Sequence, residues 1–316
     1  MIDPRLQTLR LVSWHGTVTA AAAALHYTPS AVSAQLKSLG RELDITILER
    51  QGRAVRLTST GRLLVRYADE LNARWSQMHV ALLREDNRSP EALRLCGFSS
   101  GAATLLPQVA KTVRQKHPGV NVTIVEAEPE RCFELLLADT ADLAVVVTTD
   151  ASPRLDDHRF EQRSLAADPL DLLVPADHRF AHLTSVPLSQ TADEAWIMDH
   201  PGRPNYQMVL TSCLAAGFNP SPVHEISEWE TGAALVDAGL GVCLIPRSTR
   251  LPAGYAIVRV PLQGTPSPSR QIRTAIQAGT AASPLLASAL VTLAELAPDV
   301  VEQDLMGGGP QDLLTG

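Results

Sequence analysis

Residues 19–39 read TAAAAALHYTPSAVSAQLKSL and decide the fold of the first part of the chain. Thr19 suits a helix N-cap, and the alanines that follow it have the highest helix propensity of any residue. After a break at Tyr27, Thr28 suits a second N-cap and Pro29 suits the first position of the next helix. The stretch therefore predicts two short helices joined by a tight turn.

The second of these helices has one apolar side, with Val32 and Leu36, and one side of small and polar residues. A short helix, a turn and a capped helix of this kind predict a helix-turn-helix, whose second helix enters the major groove of DNA. Serine and glutamine hydrogen-bond to base edges, small side chains contact thymine methyl groups, and lysine reaches phosphate. The predicted DNA-contacting residues are Thr28, Ser30, Ala31, Ser33, Ala34, Gln35 and Lys37. On spacing alone, an ordinary small helical bundle is the alternative.

Residues 47–50 and 54–57 predict two short strands, joined by a turn at residues 51–53. The hairpin carries Arg50, Arg53 and Arg56, which are further candidates for DNA contact. A wing beside a recognition helix contacts phosphates or the minor groove, where arginine is favoured. The hairpin and the helices together predict a winged helix-turn-helix over residues 1–58.

The run from Thr19 to Gly61 resembles the DNA-binding head of LysR-type transcriptional regulators. The residues that carry this resemblance are Thr19, Ala21, Ala22, Leu25, His26, Ser30, Ala31, Val32, Ser33, Gln35, Leu36, Leu39, Glu42, Leu43, Leu48, Glu49, Arg50, Leu57, Thr58 and Gly61. Ala34, Gly40 and Asp44 depart from the family pattern, and the last two are expected to affect how the helix ends. The resemblance implies sequence-specific binding of double-stranded operator DNA and a partnership with RNA polymerase.

Residues 59–88 predict one long linker helix with an apolar seam. The apolar residues recur at steps of four and three, which is the spacing of a coiled coil. They are Leu64, Ala68, Leu71, Trp75, Met78 and Leu82. The alternative is a single helix that lies on its own domain. The resemblance implies pairing of this helix, and hence a homodimer or homotetramer that addresses DNA half-sites about one helical turn apart, or a multiple of it.

The charge of the chain is unevenly divided. Residues 1–90 hold 12 basic and 8 acidic residues, whereas the rest holds 15 basic and 26 acidic ones, for a net charge of −7. A basic head on an acidic body indicates an anionic partner for the head. No apolar run approaches the roughly 18 residues of a membrane span, and no secretory signal is recognisable, so a cytoplasmic protein without a membrane partner is expected. The cysteines, which form no C-x-x-C pair, indicate neither a disulfide framework nor a zinc ribbon.

From Ala92 onward, strand and helix patterns alternate, which predicts an α/β fold with parallel sheets and helices on both faces. The strand patterns fall at residues 93–98, 120–126, 143–148, 170–174, 223–226, 242–245, 255–260 and 272–278. The helix patterns fall at residues 102–116, 130–139, 205–216, 229–238 and 284–296. About 210 residues is large for one such sheet, so two subdomains with a ligand cleft between them are expected.

This body resembles the effector-binding domain of the same family, which is folded like periplasmic binding proteins, with two Rossmann-like subdomains. The residues that carry the resemblance are Leu93, Arg94, Leu95, Leu105, Leu106, Pro107, His117, Pro118, Asp142, Leu143, Ala144, Asp168, Pro169, Leu170, Pro175, Ala176, Asp177, His178, Ala238, Gly239, Leu240, Gly241, Val242 and Pro246. It implies that the body spans residues 91–300, with subdomain I at 91–164 and 270–300 and subdomain II at 165–269. The chain is expected to cross near 165–168 and return near 264–270. Residues 301–316 are expected to form a flexible tail.

A small-molecule effector is expected at the carboxyl ends of the body's strands, beside helix N-termini. Ser99 and Ser100 follow the first strand of the body, and Thr148 ends another strand. Ligands of the family contact a hydroxyl residue at this place, so Ser100 is the leading candidate. Loops expected to face the same cleft add Glu128, Trp196, Arg203, Ser227 and Glu228. The alternative for each is a solvated loop residue.

Two other classes of function have some support. Residues 97–101 read GFSSG and match the G-x-S-x-G of an α/β-hydrolase, which would make Ser99 an esterase nucleophile. That elbow needs several strands before it, and here the first 90 residues predict a head and a linker. His178 and His182 have metal-ligand spacing, but their context predicts a turn. A small-molecule binding protein without DNA binding is the other alternative. The sequence thus favours a LysR-type regulator with no catalytic, metal or cofactor site.

Overall fold

The head of the chain consists of three helices and a two-stranded hairpin. The computed structural model describes residues 3–51, 54–86, 92–251, 253–264 and 267–302. The head contains α1 (Pro4–His15), α2 (Val18–Ala24), α3 (Pro29–Glu42), β1 (Leu48–Gln51) and β2 (Ala54–Leu57). Their apolar sides share one core, in which Leu9, Val32 and Leu36 are fully buried. The predicted winged helix-turn-helix is therefore confirmed.

Local capping sets the boundaries of these helices. Gly16 ends α1 with a φ of 72°, a left-handed conformation that glycine adopts without strain. The predicted cap of α2, Thr19, was wrong, because that residue already lies inside the helix. Thr17 caps α2 instead: its backbone is extended, and its hydroxyl accepts a hydrogen bond from the amide of Ala20 at 3.2 Å. Thr28 caps α3 as predicted.

Gly40 and Asp44, the two residues near the end of α3 that depart from the family pattern, have different physical roles. The chain turns after the helix through Asp44, whose φ of 53° is left-handed and would suit glycine better. Gly40 lies inside the helix, and a Cβ there would lie 2.6 Å from the carbonyl oxygen of Ile45. The close approach of these two backbone segments therefore requires glycine at position 40.

A single long helix, α4 (Ser59–Glu85), follows the hairpin. Thr58 caps it, because its hydroxyl accepts a hydrogen bond from the amide of Gly61 at 2.9 Å and donates one to the carbonyl of Thr46 at 2.7 Å. Within the predicted seam, Ala68 is buried. The later seam residues are 40–59% exposed, namely Leu71, Trp75, Met78 and Leu82. An exposed apolar row of this length on one helix is a surface suited to pairing.

The body alternates strands and helices. Its first part contains β3 (Ala92–Gly97), α5 (Ser99–Thr104), α6 (Leu106–Lys116), β4 (Asn121–Glu126), α7 (Pro129–Leu137), β5 (Leu143–Val147) and the long strand β6 (Phe160–Pro175). Its second part contains β7 (Val186–Pro187), β8 (Trp196–Asp199), α8 (Pro204–Ala215), β9 (Pro222–Ile226), α9 (Trp229–Asp237), β10 (Cys243–Pro246), β11 (Ile257–Gln263), β12 (Ser269–Gln277) and α10 (Pro284–Glu302). The sequence patterns missed β7, β8 and the first half of β6.

The sheet is mixed rather than purely parallel. The order of its strands is β4-β3-β5-β12-β6-β11-β7, with β10 also paired to β6. The strands β3, β4 and β5 are parallel, but β12 runs antiparallel to β5 and β6. The expectation of parallel sheets was wrong here, because the chain leaves the first half of the body along β6 and returns along β12, in the opposite direction. The strands β8 and β9 form a separate parallel pair.

Two groups of cores mark two subdomains. Subdomain I, built on β3, β4 and β5, buries Leu93, Leu106 and Phe133, and subdomain II, built on β8, β9 and β10, buries Trp196 and Leu244. The strands β6 and β12 join them. Helix α10 continues to residue 302, so the first two residues of the predicted tail are helical, and residues 303–316 lie outside the described part. Across the described ranges, none of the helices is long and apolar enough to cross a membrane.

Candidate nucleic-acid interface and effector cleft

The polar side of α3 faces solvent. Val32 and Leu36 hold the opposite side in the core of the head, with no exposed surface. The predicted DNA-contacting residues of this region are all exposed or half-exposed, namely Thr28, Ser30, Ala31, Ser33, Ala34, Gln35 and Lys37. The structure therefore presents a helix with small and polar side chains outward, as the major groove requires.

A residue outside α3 orients one of these side chains. The hydroxyl of Thr8, on α1, donates a hydrogen bond to Oε1 of Gln35 at 2.9 Å. Thr8 is only 6% exposed, so this bond lies at the edge of the core. An amide held in this way keeps its NH₂ group and one lone pair for a base edge. The sequence analysis missed Thr8, because a contact between residues 27 positions apart leaves no local pattern.

The hairpin places its arginines differently. Arg50 and Arg56 are both exposed, and Arg56 lies opposite Glu49 in the strand register. A carboxylate opposite Arg56 offsets part of its charge, whereas Arg50 lies opposite Val55. The third predicted wing residue, Arg53, lies outside the described residues.

The carboxyl ends of two sets of parallel strands, one set from each subdomain, approach each other. On one side, the strands β3, β4 and β5 end next to Ser99, Glu128 and Thr148. On the other side, β8 and β9 end before Arg203 and Ser227. Two polar contacts join these edges: a deep, buried one at Ser100 and an exposed one at Glu128, at the mouth of the predicted cleft. This arrangement suits a small molecule.

The deep contact is centred on a buried guanidinium. Nη2 of Arg270 donates to Oγ of Ser100 at 3.0 Å and forms an ion pair with Asp168 at 2.6 Å. Ser248, after β10, donates to the same carboxylate through its amide at 3.0 Å and its hydroxyl at 2.7 Å. Burial lowers the pKa of Arg270, and the attraction of Asp168 opposes that shift. The guanidinium of Arg270 and its partner Asp168 thus connect helix α5, the strands β6 and β12, and Ser248 of subdomain II.

The contact at the mouth is an ion pair between Glu128 and Arg203. Their side chains, 66% and 38% exposed, approach within 3.0 Å. Arg203 also lies 3.4 Å from Asp199, whose pKa is raised by burial. Because both partners are solvated, the pair contributes little to stability and can exchange for a charged ligand.

The other predicted cleft residues have mixed positions. Ser99, Ser227 and Glu228 are exposed at the starts of helices, and the buried hydroxyl of Thr148 has no hydrogen-bond partner in the described part of the chain. The prediction for Trp196 was wrong: its side chain has no exposed surface, and its indole N–H donates to the carbonyl of Thr191 at 3.1 Å. Trp196 fills the core of subdomain II. The sequence analysis placed it in a loop because β8, the strand that carries it, was not recognised.

One residue of the histidine pair with metal-ligand spacing contacts a carboxylate. His178 lies 3.3 Å from Glu194. Among the residues that the structure describes, no group of three or more histidine, cysteine or acidic side chains is placed to hold a metal ion. The four cysteines are buried and unpaired.

Comparisons with known proteins agree with this geometry. The family model of the LysR substrate binding domain matches residues 86–297, and that of bacterial regulatory helix-turn-helix proteins of the lysR family matches residues 4–62. The regulator AlsR of Bacillus subtilis is 28% identical over 73% of this chain and 75% of its own length. The probable regulator LrrA of Synechococcus elongatus is 28% identical over 94% and 97%. A full-length OxyR variant from Pseudomonas aeruginosa has a similar fold, with a TM-score of 0.61, 22% identity and coverage of 100% of this chain and 99% of its own.

Proposed function

Because the chain belongs to the LysR family of bacterial transcriptional regulators, we propose that α3 reads operator DNA and that a ligand in the cleft controls it. The observation that carries this proposal is the capped helix α3, with its apolar side in the head core and its polar side outward. Ser33 and Gln35 then contact base edges, while Lys37 and Arg50 contact phosphates. The head's basic charge attracts the DNA backbone.

The exposed row on α4 pairs two subunits. A dimer presents two heads to two half-sites, and two dimers form a tetramer. The regulator acts in the cytoplasm, where it alters the recruitment of RNA polymerase. A change in the angle between subdomains moves the heads relative to each other and so changes their fit to the operator.

The effector occupies the cleft between Ser100 and the Glu128–Arg203 pair. Both charges at the mouth favour a ligand with a charged group, and the hydroxyl of Thr148 offers a further hydrogen bond. A ligand that binds the folded body raises its melting temperature. A panel of small carboxylic and amino acids is therefore expected to include a compound that stabilises the wild type and not Arg203→Ala.

A gel-shift titration tests the DNA-binding role. The probe is DNA flanking the protein's own gene, the competitor is random DNA, and two salt concentrations are compared. We expect Gln35→Ala to lose about 1–3 kcal/mol of binding to the specific probe and little to random DNA. Arg50→Ala is expected to weaken binding to both DNAs. It is also expected to reduce by about 1 the slope of log binding constant against log salt concentration. Equal losses on both DNAs for both variants would contradict this division of roles.

A further inference from the structure

Helix α1 of the head packs directly on the body. Leu11 is 2% exposed and belongs to the apolar cluster of Phe133 and Phe160, which are body residues. The ring of Trp14 lies 6.2 Å from that of Phe160, edge to face, and the guanidinium of Arg159 lies 5.0 Å from the Trp14 ring. Aromatic and cation–π contacts of this kind add to the apolar burial.

The head does not need these contacts for its own fold. Its core consists of other side chains, including Leu9, Val12 and Leu36, and contains neither Leu11 nor Trp14. Two large apolar residues on a DNA-binding head would otherwise be solvated. The contact surface is therefore an interface between two units.

The body side of this interface is helix α7, whose other end lies in the cleft. Glu128 is the N-cap residue of α7 and pairs with Arg203 of subdomain II. Further along, Phe133 contacts Trp14, and Glu134 lies 3.5 Å from His15. A helix of nine residues moves as a rigid unit, so a displacement at Glu128 reaches Phe133.

The head side of the interface leads to the recognition helix. Gln7 of α1 donates a hydrogen bond to Asp139, just after α7, at 3.4 Å. The next residue, Thr8, holds the amide of Gln35. Helix α1 thus contacts the body through Gln7, Leu11 and Trp14 and the DNA-reading residue through Thr8.

We propose that the surface of α7 and β6 around Phe133 and Phe160 is a docking surface for the head of the same chain, controlled from the cleft through Glu128 and Arg203. The control step rests on the proposed function, in which the cleft binds an effector. A charged ligand that takes Arg203 releases Glu128, shifts α7 and changes how α1 is held. The docking itself requires neither DNA nor effector.

Amide hydrogen exchange on the full-length protein tests both steps without a ligand. We expect Trp14→Ala to raise exchange in residues 4–15 by about tenfold, since aromatic contacts of this kind contribute a factor of that order. Arg203→Ala is expected to change exchange in the same residues in the wild-type background but not in the Trp14→Ala background. Arg179→Ala is the matched control, because Arg179 pairs with Glu194 inside subdomain II at 2.6 Å.

Each outcome decides one step. Unchanged exchange of α1 in Trp14→Ala would overturn the docking, and unchanged exchange of α1 in Arg203→Ala would overturn the control from the cleft. If Trp14→Ala also unfolds α2 and α3, the milder Trp14→Phe and His15→Ala replace it, with the same two criteria. A failure of sequence-specific DNA binding would refute the proposed function and leave these exchange results intact.

Discussion

Replacing Arg270 by methionine is expected to destabilise the body by about 3 kcal/mol. Asp168 has no exposed surface and would be left without its cation. Removing one partner of a buried ion pair costs about 3–5 kcal/mol. Because Ser248 still donates two hydrogen bonds to Asp168, the lower end of that range applies. Replacing both partners, as in Asp168→Asn with Arg270→Met, removes the unpaired charge and keeps an oxygen that accepts from the Ser248 amide, so it is expected to cost only about 1 kcal/mol.

Urea unfolding followed by circular dichroism measures these losses, and comparison of the double variant with both single variants gives the coupling energy of the pair. Arg179→Ala again serves as control: its ion pair has a solvated arginine, 60% exposed, and its loss is expected to cost less than about 1 kcal/mol. A loss below about 1 kcal/mol for Arg270→Met, equal to that of the control, would refute the role of this guanidinium as the tie between subdomains.

Other substitutions test separate parts of the structure. Thr8→Val frees the amide of Gln35 and is expected to weaken specific DNA binding by about 1 kcal/mol with no loss on random DNA; equal losses in a gel shift would contradict this. Asp44→Gly relieves a left-handed φ of 53° and is expected to stabilise the head by about 0.5 kcal/mol in urea unfolding; destabilisation would show that the turn is unstrained. Trp75→Asp places a charge in the exposed row of α4, and light scattering is expected to show smaller assemblies than the wild type; an unchanged mass would exclude this surface from pairing. Burial raises the pKa of Cys213 to about 12, so this thiol is expected to resist labelling at pH 8 until the protein unfolds; rapid native labelling would contradict its burial.

The head was predictable because its signals are local. Threonine caps, a proline at the first helical position and a short hairpin are readable from a few neighbouring residues, and α3 and α4 begin where those signals place them. The wrong prediction of Thr19 as the N-cap of α2 also comes from reading local signals alone. Two threonines two positions apart both suit a cap, and only the left-handed turn at Gly16 decides for Thr17.

The centre of the cleft was not predictable from local patterns. Asp168 and Arg270 are 102 positions apart and meet because β6 and β12 pair in antiparallel register. Periodicity identifies strands but does not show which strands pair. The sequence analysis therefore did not predict that Arg270 lies beside Ser100. The strand β8 has only four residues, which is too short for a clear alternation of apolar and polar side chains. The core residue Trp196 was therefore predicted to lie in a loop.

Hydroxyl-radical footprinting tests the central claim, that this chain reads operator DNA through α3 as a paired molecule. Wild-type protein on DNA flanking its own gene is expected to protect two patches about one helical turn apart, or a multiple of it. Gln35→Ala is expected to lose both patches at the same protein concentration while retaining salt-sensitive binding to random DNA. Uniform protection along the fragment, or identical patches in Gln35→Ala and the wild type, would contradict the claim.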